Sequence, residues 1–349
     1  MIARETDKEE WKAFLCRCPD ATFYHTPEWL DLLSQSFPVQ GHCIAFIQGG
    51  QTVGIFPYTV SKGLLYKALN SLPYSDYGGP LLLEAFKSLA LPVLSRFLES
   101  KCKENAIACV RITSCDKITS TRFAEHGGTT DSGIGDVLLD LETKTPEHIW
   151  NKEFNSRRAQ RQHIKRFEKE GFRIVQAENE HHLRSFYKLY WENLEFIGAT
   201  PFPYRFFLNA WDSFHPGRFV ILLAEKVRFR GGIGFFVQED KRAVFANYAA
   251  IERTSLGTKF HMMEYLFWEA IKWAKRRNLR FFHFGTTPSD PTSFYYRQKM
   301  GFGGVFVPQY HILIPYNYEL FKLREAAVLI WDRIREKIPV TLRLSLERK

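Results

Sequence analysis

The feature that most constrains this chain is an order of elements that occurs twice. Residues 245–304, FANYAAIERTSLGTKFHMMEYLFWEAIKWAKRRNLRFFHFGTTPSDPTSFYYRQKMGFGG, read as a strand, a polar Gly-containing turn, an amphipathic helix, an aromatic strand, a loop and a short basic helix. Over 258–277 the residues Phe260, Met263, Phe267, Ile271 and Ala274 share one helical face. A strand leading through a polar turn into a helix sets exposed N–H groups and a positive dipole end where a large phosphorylated ligand can bind.

The first half repeats the order more weakly. HCIAFIQGGQTVGIFPYTV is a hairpin around Gly49-Gly50. A loop, Leu72-Pro73-Tyr74-Ser75-Asp76-Tyr77-Gly78-Gly79-Pro80, precedes a helix over 86–105 and strands over 106–112 and 136–141. In the second half helices over 183–196 and 204–214 precede strands 219–225 and 232–238, which flank a basic turn containing Gly231. Strand 243–250, helix 258–277, strand 280–284, helix 291–300 and a last strand, 305–314, complete it. Gly50 answers Gly232, CKENAIACV answers KRRNLRFFHF, and Glu125-His126-Gly127 answers Lys299-Met300-Gly301, which points to an internal duplication. In the opening helices, Thr26 suits an N-cap and Pro27 the first helical position.

A length of 349 residues suits two such units, and 31 Phe within 15% aromatics favour large β-rich cores. The N-terminal MIARETDKEEWKAF has no apolar secretory core, so a cytoplasmic chain is expected. The six cysteines all lie in the first third, without zinc-ligand spacing, and read as buried free thiols with no metal.

Charge is uneven. Residues 1–146 hold 14 Lys and Arg against 17 Asp and Glu, and the remainder 34 against 21. A basic second half suits a polyanionic ligand, or else a solvated basic surface. Between the halves, 153–171 reads as a helix with Asn155 or Ser156 near its start and Gly171 as its stop. Arg158, Arg161 and Lys165 share a face of it, and from Asn155 onward only Glu168 and Glu170 offset its six cations. A final amphipathic helix over 318–338 packs on the second unit or makes a peripheral contact with the inner membrane surface.

No GxSxG, HExxH, P-loop or GxGxxG is present. The turn Arg253-Thr254-Ser255-Leu256-Gly257-Thr258 is the nearest thing to a phosphate cradle, with Ser255, Gly257 and Thr258 as donor-binding positions beside Asn247. His283 and Tyr248 can assist proton transfer; for His283 a satisfied core histidine is the competing reading.

Taken together, NYAA, the polar turn, EYLFWEAIKWAKRRNLRFFHFG and FYYRQKMGF resemble the GNAT acyltransferase superfamily. SRRAQRQHIKRFEKEGF, PEWLDLLSQSF and LPYSDYGGPLL narrow the resemblance to its FemABX-like branch. It implies an α/β (α+β) fold of two tandem GNAT-like domains, 1–146 on the acceptor side and 147–315 on the donor and catalytic side. Each would be a mixed, mostly antiparallel twisted sheet flanked by helices, with an amphipathic helix over 316–349. It implies N-acyl transfer from acyl-CoA or aminoacyl-tRNA to an amine of an anionic cell-envelope precursor, with no permanently bound cofactor and no DNA partner. It places Asp76 and Tyr77 against the acceptor. Arg297 stands where the branch has a Lys that stabilises the developing oxyanion, and Leu256 stands where the acyl-CoA turn has Gly. The alternative is a non-catalytic module that binds RNA or an anionic lipid head group through the 157–169 helix.

Overall fold

The computed structural model describes residues 1–62, 67–125, 127–155, 158–253, 261–323 and 326. Two eight-stranded sheets hold them. The first consists of β1 (Ile2–Glu5), β2 (Val39–Gln48), β3 (Gln51–Lys62), β4 (Lys67–Ser71), β5 (Leu81–Leu82), β6 (Ile107–Ser114), β7 (Thr129–Asp131) and β16 (Tyr310–Pro315). The second consists of β8 (Ile134–Asp140), β9 (Arg173–Gln176), β10 (Phe219–Lys226), β11 (Arg228–Gln238), β12 (Ala243–Ile251), β13 (Phe281–His283), β14 (Thr287–Pro288) and β15 (Val305–Pro308).

Each sheet is antiparallel except at one place. β4 runs parallel to β6 across the helix Lys87–Asn105, and β12 runs parallel to β13 across the helix Met262–Arg276. A parallel pair needs such a crossover, which is why the strand–helix–strand order was the legible one. The duplication is therefore visible in the fold as well as in the sequence.

The strands do not respect the boundary expected at residue 146. β8, which ends the first half of the chain, pairs with β13, β14 and β15 in the second sheet. The single last strand expected over 305–314 is two strands: β15 stays in the second sheet, and β16 crosses to pair with β6 and β7 in the first. Each half thus completes the other's sheet. The basic turn also shifts. Val227 is the exposed turn residue, at φ 66°, while Gly231 and Gly232 lie inside β11, where a Cβ would meet the Met262 sulfur at 2.5 Å and Phe186 at 2.9 Å.

The helix Pro27–Ser36 starts as its sequence dictates: Thr26 Oγ1 accepts from Trp29 N at 3.3 Å and Pro27 occupies the first turn. It joins the helices Lys8–Arg17, Glu180–Ile197 and Tyr204–Phe214 in a core shared by both halves. There Phe23 stacks on Phe236 at 4.7 Å, Trp29 meets Phe236 at 5.3 Å, and Tyr24 meets Phe245 at 5.2 Å. Each such buried ring contributes roughly 1.5–3 kcal/mol, so the aromatic content welds the halves together. Two further cores lie on the outer faces of the sheets, under the 87–105 and 262–276 helices. None of the cysteines forms a disulfide; Cys18, Cys43, Cys102 and Cys109 are buried, whereas Cys16 is exposed.

Candidate active site

The site grows from the loop that follows β4. Ser71 Oγ accepts from the backbone of Gly79 at 2.8 Å and of Thr113 at 3.3 Å, closing the loop on itself and on β6. Leu72 and Tyr74 both take left-handed backbone conformations, at φ 51° and 63°, an expense usually met where a turn must aim a side chain. Trp29 Nε1 donates to Ser75 Oγ at 2.7 Å and anchors the tip. The residue so aimed is Asp76, whose Oδ1 accepts from Thr286 Oγ1 at 2.9 Å.

Asp76 lies beside a second carboxylate, Asp136 on β8, which is fully buried. Burial first, and the charge of Asp136 second, push Asp76 up to about 6. Tyr77 donates its hydroxyl to Asp136 Oδ2 at 2.7 Å, and His283 Nδ1 lies 2.8 Å from the same oxygen. His283 stacks on Phe245, rings 4.5 Å apart, so its plane is set by packing as well as by the carboxylate.

A buried cation balances the pair. Lys299 Nζ donates to the carbonyls of Gly285 at 2.8 Å and Thr286 at 2.7 Å. Burial lowers it to about 8, with Asp136 and Asp76 opposing that fall. Gly285 is required where it stands: its φ is 76°, and a Cβ would lie 3.3 Å from Asn247 Oδ1 and 3.4 Å from Asp76 Oδ2. Asp76 Oδ2 and Asn247 Oδ1 are both buried without a hydrogen-bond partner, while Asn247 Nδ2 donates to Tyr24 at 2.6 Å.

Asp76, Asn247, Tyr248 and Thr286 line a cleft of about 780 Å³ between the halves. Tyr74, Tyr190 and Phe202 give it aromatic walls, and Arg111, Asp131 and His311 add polar groups from the first sheet and its edge. Tyr248 is buried and its phenol pushed well above its ordinary value by burial, so it keeps its proton.

The expected site residues fall into distinct places. Asp76, Asn247 and Tyr248 share the cleft. Tyr77 does not face it: its hydroxyl is spent on Asp136 and its ring borders a smaller cavity of about 300 Å³. His283 is largely enclosed, between Asp136 and Phe245. Arg297 is exposed on the helix Phe294–Met300, and the buried cation of that helix is Lys299. On the helix Arg158–Lys169, Arg161 donates to the Trp150 carbonyl, and Arg161 and Lys165 lie over the Trp150 ring at 5.5 and 5.9 Å. That helix face is therefore partly occupied by the protein itself. The side chain of Arg158, and Ser255, Gly257 and Thr258, lie outside the described residues, as does most of the 318–338 segment; residues 318–323 are helical.

Two members of the site, Asp136 and Lys299, were not singled out from the sequence. A lone acid within the apolar run IGDVLL was the available signal for Asp136, since a charge on a buried strand demands partners. Lys299 had none, because Arg297 two residues earlier is an equally basic position on the same short helix.

Residues 155–296 match the family model of the acetyltransferase (GNAT) domain. Comparison with curated protein sequences gave no match. Among solved structures, FemX is similar over 93% of this chain and 99% of its own, with 13% identity and a TM-score of 0.70. The L-PGS structure from Bacillus licheniformis is similar over 95% and 99%, at 14% identity and a TM-score of 0.58. A tandem GNAT protein from the clavulanic acid biosynthesis pathway is similar over 90% and 97%, at 10% identity and a TM-score of 0.56. At such identities the likeness is one of fold. Residues 155–296 thus match a GNAT domain, and the chain as a whole shares the tandem GNAT-like fold of these solved structures.

Proposed function

We propose that the protein is an N-acyltransferase that moves an acyl or aminoacyl group from acyl-CoA or aminoacyl-tRNA to an amine of a cell-envelope or related precursor. The observation that carries this reading is Asp76, a carboxylate raised to about 6 at the wall of the 780 Å³ cleft, with one buried oxygen unspent. Acyl transfer to an amine needs an ammonium to lose its proton, the free amine to meet the carbonyl in line, and the charge on the carbonyl oxygen to be stabilised. A base that titrates near the working pH suits the first task.

Asp76 Oδ2 takes the proton from the acceptor amine. Thr286 and the turn at Gly285, tied down by Lys299, hold that carboxylate in place. Tyr248, still protonated, gives a proton to the departing thiolate or ribose oxygen. Asp136, Tyr77 and His283 position the centre rather than touch the acceptor. Arg297 shares a helical face with Phe294, whose ring lies 5.9 Å from that of His261 at the start of the 262–276 helix. That location suits the donor's phosphates, together with Ser255, Gly257 and Thr258, better than the reacting carbonyl. Arg111 serves the anionic part of the acceptor. No helix among the described residues is long and apolar enough to cross a membrane.

The test is single-turnover chemistry with each donor. Purified protein is incubated with acetyl-CoA or with a charged tRNA and an amine-bearing envelope precursor, following thiol release or deacylation. Acceptor-dependent turnover that falls in Asp76→Asn supports the reading. Turnover with neither donor, or an unchanged rate in Asp76→Asn, overturns it.

A further inference from the structure

A second cluster lies apart from the cleft, where the basic linker helix crosses the start of the 262–276 helix. His163 comes from the linker helix, and His261 and Glu264 from the first turn of the other. The three offer ligand atoms that all lie within 4.8 Å of one another. His261 Nδ1 is 3.3 Å and His163 Nδ1 3.9 Å from Glu264 Oε1. Glu264 is only 3% exposed, with the buried amide side chain of Gln298 against it.

Two polar atoms here lack partners among the described residues. Glu264 Oε2 and His163 Nδ1 are both buried without a hydrogen bond. A buried, unsatisfied carboxylate oxygen costs on the order of 1–3 kcal/mol, more if charged, and an unpaired imidazole nitrogen beside it adds to that. One divalent ion would satisfy both at once. We propose that His163, His261 and Glu264 form a binding site for a transition-metal ion, with Zn2+ the best fit. Two imidazoles and one carboxylate suit zinc and its neighbours, whereas magnesium and calcium require oxygen ligands.

The two rings are stacked face to face, centroids 4.1 Å apart and planes within 2°. Binding therefore requires them to open so that each nitrogen points at the ion, a side-chain rotation within one helix turn. Three protein ligands leave a fourth position for water or an incoming group. Such an ion would pin the linker helix to the helix Met262–Arg276. Cysteine spacing could not reveal this site, because its ligands are about a hundred residues apart.

The experiment uses the full chain, freed of any affinity tag. It is stripped with EDTA, dialysed against Zn2+, and its metal content measured by mass spectrometry; Co2+ is loaded in parallel and its visible ligand-field bands recorded. The expected result is one equivalent of Zn2+ per chain, four-coordinate Co2+ bands, and a Tm raised by the metal. Glu264→Gln and His163→Ala should each weaken binding on the order of 100-fold, while His181→Ala, an exposed histidine, should leave it unchanged. Less than a tenth of an equivalent in the wild-type chain overturns the proposal, a result that does not depend on any variant folding. Equal binding by all variants overturns it too.

Discussion

Thr286 donates its hydroxyl to Asp76 Oδ1 at 2.9 Å, joining residues 210 apart in sequence and from opposite halves of the chain. The bond fixes which oxygen of Asp76 is spent on Thr286 and leaves Oδ2 for the proposed chemistry. It also sets the proposed base on the loop of one half and its support on the turn of the other, so the site exists only when the halves are assembled.

Asp76 and Lys299 predict a bell-shaped dependence of kcat/KM on pH. Asp76 acts once deprotonated, so activity should rise with pH through about 6; Lys299 loses its charge near 8, so activity should fall above that. Asp76→Asn should lower kcat by about 10²–10⁴-fold and abolish the acid limb. Stability should respond in the opposite sense for Asp76. Its folded pKa of about 6 exceeds the ordinary 3.8, so its contribution is full below about pH 4 and lost as pH rises through 6. Urea titrations across that window should show the slope in the wild type and a flatter curve in Asp76→Asn.

The two basic residues of the 294–300 helix should separate cleanly. Lys299→Met removes the counter-charge of two carboxylates and two hydrogen bonds, and should cost about 3–5 kcal/mol in chemical denaturation. Arg297→Ala, at an exposed position, should change stability by less than about 0.5 kcal/mol. If Arg297 serves the donor, its loss raises KM for the donor more than it lowers kcat.

Tyr77 and His283 address one oxygen of Asp136 and should therefore be coupled. Tyr77→Phe alone should cost about 1–3 kcal/mol, since it strips a partner from a buried carboxylate. The double variant Tyr77→Phe/His283→Gln should depart from additivity by about 0.5–3 kcal/mol in a denaturation cycle. Additive losses would mean that the two contacts are independent.

Gly285→Ala tests the support beneath the base. A left-handed backbone costs a residue with a Cβ about 1–2 kcal/mol, and the added methyl presses toward Asp76 and Asn247. Both Tm and kcat should fall, whereas Gly217→Ala, where a Cβ meets nothing within 4 Å, should leave kcat unchanged.

The duplicated order of strand, helix and strand was legible in the chain because local chemistry encodes it. Apolar spacing marked the 262–276 helix, Thr26 and Pro27 started the 27–36 helix, and a crossover helix between strands implies a parallel pair. Asp76, named through the family resemblance, and Asn247 and Tyr248, named on the strand before the polar turn, all line the cleft. What the chain alone determined was thus the unit, its repetition and part of one wall of the cleft. Tertiary structure decided the rest. Only assembly carries β8 and β16 into each other's sheets, brings Asp136 under Asp76, and turns Lys299 inward while Arg297 faces solvent. The reason is physical: hydrogen-bond pairing between distant strands and the matching of buried charges depend on burial, and burial is a property of the packed whole rather than of any stretch of residues.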